Sequence, residues 1–134
     1  MTYVEALSNL TRLITSYPQI RQTGTLEELQ ELRDQISENL FHFGETYAFI
    51  RANSERAESA YKSCVEEQKV IWRTKFGGKN VGMADSEAIL SCKERLEEMH
   101  QKNEEYYLAN SLILRTDQVL NSLSSRLKLV SRHE

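Results

Sequence analysis

The residues in this chain that are best suited to binding a ligand lie between Gln68 and Asn80. Basic and aromatic residues alternate there before a pair of glycines, Gly77 and Gly78, and a further lysine follows the pair. Lysine and arginine neutralise phosphates, and flat rings stack on unpaired bases, so this combination is typical of single-stranded nucleic acid binding. We call these residues the basic–aromatic patch: Lys69, Trp72, Arg73, Lys75, Phe76 and Lys79.

The patch also has an interpretation that needs no ligand. Trp72 and Phe76 are four positions apart and extend the apolar stripe of the preceding helix, so both rings can close a helical core. For Trp72 we favour this core packing. Lys69 and Arg73 share a neighbouring helix face, and whether the cations contact an anion stays open at this level.

The distribution of charge sets the patch apart from the rest of the chain. The formal net charge is −3, and residues 1–67 and 81–114 are acidic, whereas residues 68–80 hold four basic residues and no acidic one. A polyanion would be repelled by the acidic segments and confined to the basic ones. A second basic segment with Arg126, Lys128 and Arg132 lies at the C-terminus, where cations also stabilise a helix dipole without any ligand.

Hydrophobic periodicity predicts an all-α protein with one helical domain over residues 1–134. We expect helices over residues 2–17, 25–76 and 85–131. Capping boxes at Thr2 and Thr25 open the first two, and Pro18 is expected to end the first, leaving a polar linker to Gly24. The pattern does not decide whether Gly44 divides the second helix.

The two long helices are expected to form an elongated antiparallel hairpin around Gly77 and Gly78, or a bundle with the short N-terminal helix. The expected seam of the last helix begins at Ile89 and Cys92, and polar residues recur on it every seven positions at Asn103, Asn110, Asp117 and Ser124. Polar residues on such a seam fix register or the number of partners. Surplus apolar width near the C-terminus is expected to pack against the N-terminal helix or against a neighbouring subunit of a homo-oligomer.

The residues favour a protein that is not an enzyme and needs no cofactor. His42, His100 and His133 form no metal-binding motif, and the glycines are not accompanied by a phosphate-loop sequence. Cys64 and Cys92 have no CxxC spacing, so we interpret them as two buried thiols in a reducing compartment. No apolar run approaches the ~20 residues that span a bilayer, and no signal peptide is recognised, so no membrane contact is expected.

The layout resembles the UvsY-type recombination mediators of tailed bacteriophages over roughly residues 55–134. The matching segments are Trp72 to Lys79, Ala84-Asp-Ser-Glu87, Glu105-Tyr-Tyr107 and Leu120 to Leu127. The first 50 residues do not match. The resemblance implies a ring-like oligomer in the cytoplasm of a bacterial host cell, which binds single-stranded DNA, displaces the single-strand-binding protein and loads a recombinase. It also implies that Lys69, Arg73, Lys75 and Lys79 contact the phosphate backbone.

The sequence therefore leaves two functions open. The first is a single-stranded DNA-binding accessory protein that acts as an oligomer through the basic–aromatic patch. The alternative is a non-catalytic coiled-coil scaffold, adaptor or inhibitor that binds a protein partner. Counterion release makes DNA binding steeply salt-dependent, whereas an apolar interface responds little to salt.

Overall fold

The computed structural model describes residues 2–133 of the chain, without the side chain of His133. These residues form helices and no strand, so the prediction of an all-α protein is confirmed. Met1 and Glu134, at the ends of the predicted domain, lie outside the described residues. The helices are α1 (Tyr3–Thr23), α2 (Leu26–Lys75), α3 (Val81–Ser91) and α4 (Lys93–His133).

Two compact units share these helices. Unit 1 contains α1, the first part of α2 up to Ala48 and the part of α4 from Leu108 onward. Unit 2 spans Phe49–Tyr107 and therefore contains the rest of α2, α3 and the start of α4. No helix within the described residues is both long enough and apolar enough to cross a membrane.

The first helix begins where the sequence predicts and ends later. The Thr2 side chain accepts a hydrogen bond from the Glu5 amide and the Glu5 carboxylate accepts one from the Thr2 amide, which confirms the capping box. The expectation that Pro18 ends the helix is wrong, because α1 continues to Thr23. The fixed φ of proline is compatible with a helix, and its costs are one lost backbone hydrogen bond and steric crowding of its ring against the carbonyl four residues earlier. Buried Tyr17 and half-buried Ile20 pack on either side of it.

Gly24 makes the tight connection from α1 to α2. Its amide donates to the carbonyl oxygen of Ile20 at 2.7 Å, and a Cβ at this position would lie 2.4 Å from that oxygen. Only glycine fits this approach. The Thr25 hydroxyl then accepts from the Glu28 amide and caps α2, which runs as one continuous helix through Gly44.

Unit 1 is held by a conventional apolar core. Most of its large buried side chains follow the stripes that the sequence predicts on α1 and α2. Its fully buried large side chains are Leu10, Leu29, Ile36, Phe43, Thr116 and Leu123. The ring of Phe43 also stacks on the ring of Tyr3, with centroids 5.3 Å apart. Burying side chains of this size is the main source of stability in such a bundle.

Unit 2 is held differently, by small side chains and a covalent bond. Its buried residues beyond Ile50 and Ser54 are Ala57, Ala84, Ala88 and Cys92. Alanine contributes little buried area, but it allows helix backbones to approach closely. Cys92 forms a disulfide with Cys64 of α2, with their Cα atoms 6.0 Å apart. The interpretation of two separate buried thiols is therefore wrong.

The predicted helix over residues 85–131 is also interrupted. The structure has α3 from Val81, a break at Cys92, and then α4. Cys92 has φ −103° and ψ 17°, and its amide bonds to the carbonyl of Ile89. The break coincides with the residue that is bonded to Cys64. Ile89, expected on the core seam, is exposed instead, because the smaller Ala84 and Ala88 face the interior of unit 2.

Polar side chains cross between helices inside both units. In unit 1 the Tyr47 hydroxyl donates to the Asn110 carbonyl oxygen at 2.9 Å. In unit 2 the Ser54 hydroxyl donates to the Asn103 side chain. Two of the four polar residues predicted on the α4 seam, Asn103 and Asn110, therefore form hydrogen bonds to α2. The other two, Asp117 and Ser124, are exposed. Such pairs favour one register, since a shift would leave partly buried groups without a partner.

The core of unit 1 can be tested on α4. Leu123 is 0% exposed, so Leu123→Ala should lower the free energy of unfolding by about 2–5 kcal/mol through lost burial and a cavity. Leu114→Ala, on the same helix but 55% exposed, is the matched control and should change it by less than ~0.5 kcal/mol. Urea denaturation measures both. Equal losses in the two variants would contradict this assignment of the core.

The disulfide of unit 2 makes a second prediction. It joins residues 28 positions apart, and restricting the unfolded chain over such a loop stabilises the fold by about 3–4 kcal/mol. Denaturation of oxidised and reduced protein should differ by up to that amount, with faster hydrogen exchange after reduction confined to residues 65–91. A Cys64→Ala/Cys92→Ala variant should resemble the reduced protein and ignore reductant. Identical exchange in the oxidised and reduced protein would show that the bond stabilises nothing.

Candidate functional site

The basic–aromatic patch lies in unit 2, on the last turns of α2 and in the connection that leads to α3. The Gly77 amide bonds to the carbonyl of Thr74 and the Gly78 amide to that of Arg73, which is the hydrogen-bond pattern of a Schellman cap. Gly77 and Gly78 have φ of 62° and 78°, a region that side chains with a Cβ disfavour. Asn80, with φ 53°, then leads into α3. The two glycines therefore set the direction in which the chain leaves α2.

Arg73 is held by a carboxylate within the same unit. Its Nε and one terminal nitrogen each donate to an oxygen of Asp85, both at 2.9 Å. This two-point hydrogen bond from Arg73 holds the pKa of the Asp85 carboxyl below its ordinary value, and the same contact raises the pKa of Arg73. The sequence predicts Arg73 as a phosphate contact, but the structure places it in an ion pair that joins α2 to α3.

Trp72 is partly buried and contacts α3. Its indole nitrogen donates to the Ser91 hydroxyl at 3.1 Å. The Phe76 ring lies 6.1 Å away in a tilted arrangement, and the Lys75 ammonium lies 4.4 Å from the centroid of the indole. A cation over an indole is an attractive contact. A base that stacks on this face of Trp72 would have to displace Lys75, so one face of the indole is covered by the Lys75 ammonium.

The three lysines of the patch are less constrained than Arg73. Lys69 lies 3.9 Å from a carboxylate oxygen of Glu66, at the limit of an ion pair. Lys75 and Lys79 have no carboxylate within 4.0 Å among the described residues. The Lys69 side chain is half-buried and its contact with Glu66 is long, whereas Lys75 and Lys79 are exposed. No carboxylate neutralises Lys75 or Lys79 within the described residues, so these two ammonium groups are the more accessible to an anion.

The sequence did not identify two features beside the patch. Asp85 and Ser91 were not recognised as partners of Arg73 and Trp72, because a separation of 12 or 19 residues carries no local signal. The outer face of α3 was also missed. It exposes the aliphatic side chains of Met83 and Leu90, which are 60% and 63% exposed. Val81 and Ile89 are also exposed, on other sides of α3.

The C-terminal basic segment belongs to unit 1. Lys128 and Arg132 are exposed on α4, whereas Arg126 is half-buried. In the part of the chain that the structure describes, no three His, Cys, Asp or Glu side chains are placed to hold a metal ion.

Comparisons with known proteins give no match for this chain, whether against family models, curated proteins or solved structures. Its function is therefore inferred from the residues and contacts of the chain itself.

The Arg73–Asp85 pair predicts a specific acid response. The folded-state pKa of Asp85 lies below its ordinary value of 3.8, so the pair contributes stability above pH 3.8 that is lost as the pH falls through the folded pKa. Carboxyl chemical shifts should give a depressed pKa for Asp85 in the wild type and a value nearer 3.8 in Arg73→Gln. Arg51→Gln, an exposed cation elsewhere on α2, is the control and should leave Asp85 unchanged. An unshifted Asp85 in the wild type would exclude the pair in solution.

Proposed function

We propose that this protein is a non-catalytic, single-stranded DNA-binding accessory protein that acts as a homo-oligomer through the lysines of the basic–aromatic patch. The observation that carries the proposal is the grouping of Lys69, Lys75 and Lys79 at the chain reversal, where two of them lack any carboxylate partner among the described residues. The resemblance to UvsY-type mediators supports the same function. It adds a recombinase as the protein partner and the bacterial cytoplasm as the location.

The structure changes which residues we assign to the contact. Lys69, Lys75 and Lys79 bind phosphates, Phe76 offers a ring for a base, and Trp72 stacks on a base when Lys75 moves to a phosphate. Arg73 shapes the surface by holding α3 through Asp85. Three phosphate contacts per chain give weak binding at physiological salt, and several copies on one strand raise the affinity through effective concentration. The proposed oligomer, with its helical hairpins arranged in a ring, is therefore part of the mechanism.

A second function is favoured by a different observation, the exposed aliphatic face of α3. Binding of phosphates and bases would not bury the aliphatic side chains of Met83 and Leu90. Exposed apolar patches of this kind are typical of surfaces that bind another protein. The alternative is thus a helical scaffold, adaptor or inhibitor that binds a protein partner through this face.

Binding to a labelled oligothymidine at two salt concentrations tests the first function, by fluorescence anisotropy. Replacing Lys69, Lys75 and Lys79 by glutamine should abolish measurable binding at moderate salt and reduce the slope of log affinity against log salt by about 2. Arg73 is left intact so that Asp85 keeps its partner.

The matched control replaces three lysines elsewhere in unit 2, Lys62, Lys93 and Lys102, and removes the same charge. It should retain most of the affinity. Equal losses of affinity in both triple variants would mean that binding depends only on net charge. The patch would then no longer be assigned as the DNA-binding site. Because a cytoplasmic protein meets a reducing environment, oxidised and reduced protein are both measured.

Sedimentation separates the two functions. A monomer at every concentration, with and without DNA, contradicts the oligomeric mediator. The alternative instead gives no oligothymidine binding at low salt, and self-association or partner binding that persists at high salt and is weakened by Met83→Ser/Leu90→Ser.

A further inference from the structure

A cavity of about 410 Å³ opens in unit 1 between α1 and α4. Its lining residues are Pro18, Arg21 and Gln22 from the last turns of α1 and Arg126 from α4. Two of the four are arginines, one is an amide, and none is a carboxylate. The lining therefore offers many hydrogen-bond donors and two positive charges.

The position of the two arginines follows from a neighbouring contact. The hydroxyls of Tyr17 and Ser122 form a hydrogen bond that fixes α1 against α4 at this level. Arg21 is four residues after Tyr17 and Arg126 four residues after Ser122, so each lies one turn further along the same helix face. The fold thus brings the two guanidinium-bearing side chains to one cavity.

No acidic side chain compensates this pair. Neither Arg21 nor Arg126 takes part in any ion pair of the described residues. The Nε of Arg126 is buried and has no hydrogen-bond partner. Buried donors are nearly always satisfied, so this guanidinium is incompletely compensated by the protein. Arg21 is exposed and Arg126 is half-buried, so both positive charges at this cavity are open to an anion from solution.

We propose that this cavity is a binding site for a phosphate group. The guanidinium fork matches the oxygens of a phosphate through paired charge-assisted hydrogen bonds. Arg21 and Arg126 hold the group from two helices, and the Gln22 amide supplies a further donor. The volume exceeds that of a single water several-fold, so the site admits a phosphate together with its hydration.

This site is independent of the basic–aromatic patch, since it uses other residues and lies in unit 1. Its ligand is either a free phosphate or phosphomonoester, or one phosphodiester of a nucleic acid strand. Both present the same oxygens to the guanidinium groups, and the experiment distinguishes them.

Nuclear magnetic resonance of the arginine Nε–H groups tests the proposal in the full-length protein. Inorganic phosphate, titrated at constant ionic strength against sodium chloride, should shift the Arg126 signal saturably. Arg21→Gln should weaken the apparent affinity about tenfold by removing one charge-assisted fork. Arg126→Lys, which keeps the charge and loses the fork, should weaken it similarly, with the affinity read from the Arg21 Nε–H signal because this variant has no Arg126 signal. Lys128→Gln, an exposed charge on the same helix, is the control and should have little effect.

A parallel titration with oligothymidine identifies the source of the phosphate. Saturation by oligothymidine and not by inorganic phosphate assigns the site to a phosphodiester, and the reverse assigns it to a free phosphate or monoester. A shift that never saturates with either ligand overturns the proposal, as does an affinity unchanged in both Arg21→Gln and Arg126→Lys. Glutamine at Lys69, Lys75 and Lys79 should leave the inorganic phosphate titration unchanged, so this site and the patch can fail separately.

Discussion

The disulfide between Cys64 and Cys92 is the constraint on which the organisation of unit 2 depends. It joins α2 to the short break between α3 and α4, and the other buried residues that α3 contributes are the alanines at positions 84 and 88. Alanines permit close packing but bury little area, so apolar burial alone gives this end of the unit a small driving force. The covalent bond offsets that deficit, and the loop it closes contains the entire basic–aromatic patch. The presentation of the patch is thus linked to the redox state of two residues that are outside it.

Within that loop, electrostatics sorts the cations into two roles. Arg73 meets both oxygens of Asp85, a geometry that suits a planar guanidinium and that a lysine cannot reproduce. The three lysines are less compensated, since Lys69 lies 3.9 Å from Glu66 and neither Lys75 nor Lys79 has a carboxylate within 4.0 Å among the described residues. Lys75 over the Trp72 ring is the one point where the two roles meet, since this contact both orders the cation and covers the aromatic face. Arg73 therefore fixes the position of α3 relative to α2, and the positive charge of the lysines is not neutralised by this pair.

Unit 1 shows a related division between apolar and polar contacts. A large apolar core supplies its stability, and individual hydrogen bonds such as Tyr47 to Asn110 select its register. The contact between Tyr17 and Ser122 does more, because it determines which side chains lie one turn further along α1 and α4. Arg21 and Arg126 meet at a cavity as a consequence. The continuation of α1 past Pro18 is essential here, since a helix ending at Tyr17 would not bring Arg21 onto that face.

The sequence by itself determined the features that depend on neighbours close in the chain. The helical class follows from the apolar period, the start of α1 from the Thr2 capping box, and the end of α2 from two glycines that accept positive φ. The candidate cations could likewise be named from their clustering. Pro18 led to a wrong helix end because its local preference against continuing a helix is weaker than the packing of Tyr17 and Ile20 beside it.

Only the tertiary structure decided the partners. Cys64 with Cys92, Arg73 with Asp85, and Trp72 with Ser91 are pairs of residues far apart in sequence. Each depends on the distance and rotation between two helices, which periodicity within either helix does not specify. The same holds for Ile89, which a continuous stripe places in the core, whereas Ala84 and Ala88 occupy the inner face of α3. Residue type and local periodicity determined which residues carry charge and which form helices. The packing of one helix on another determined which charges form ion pairs and which do not.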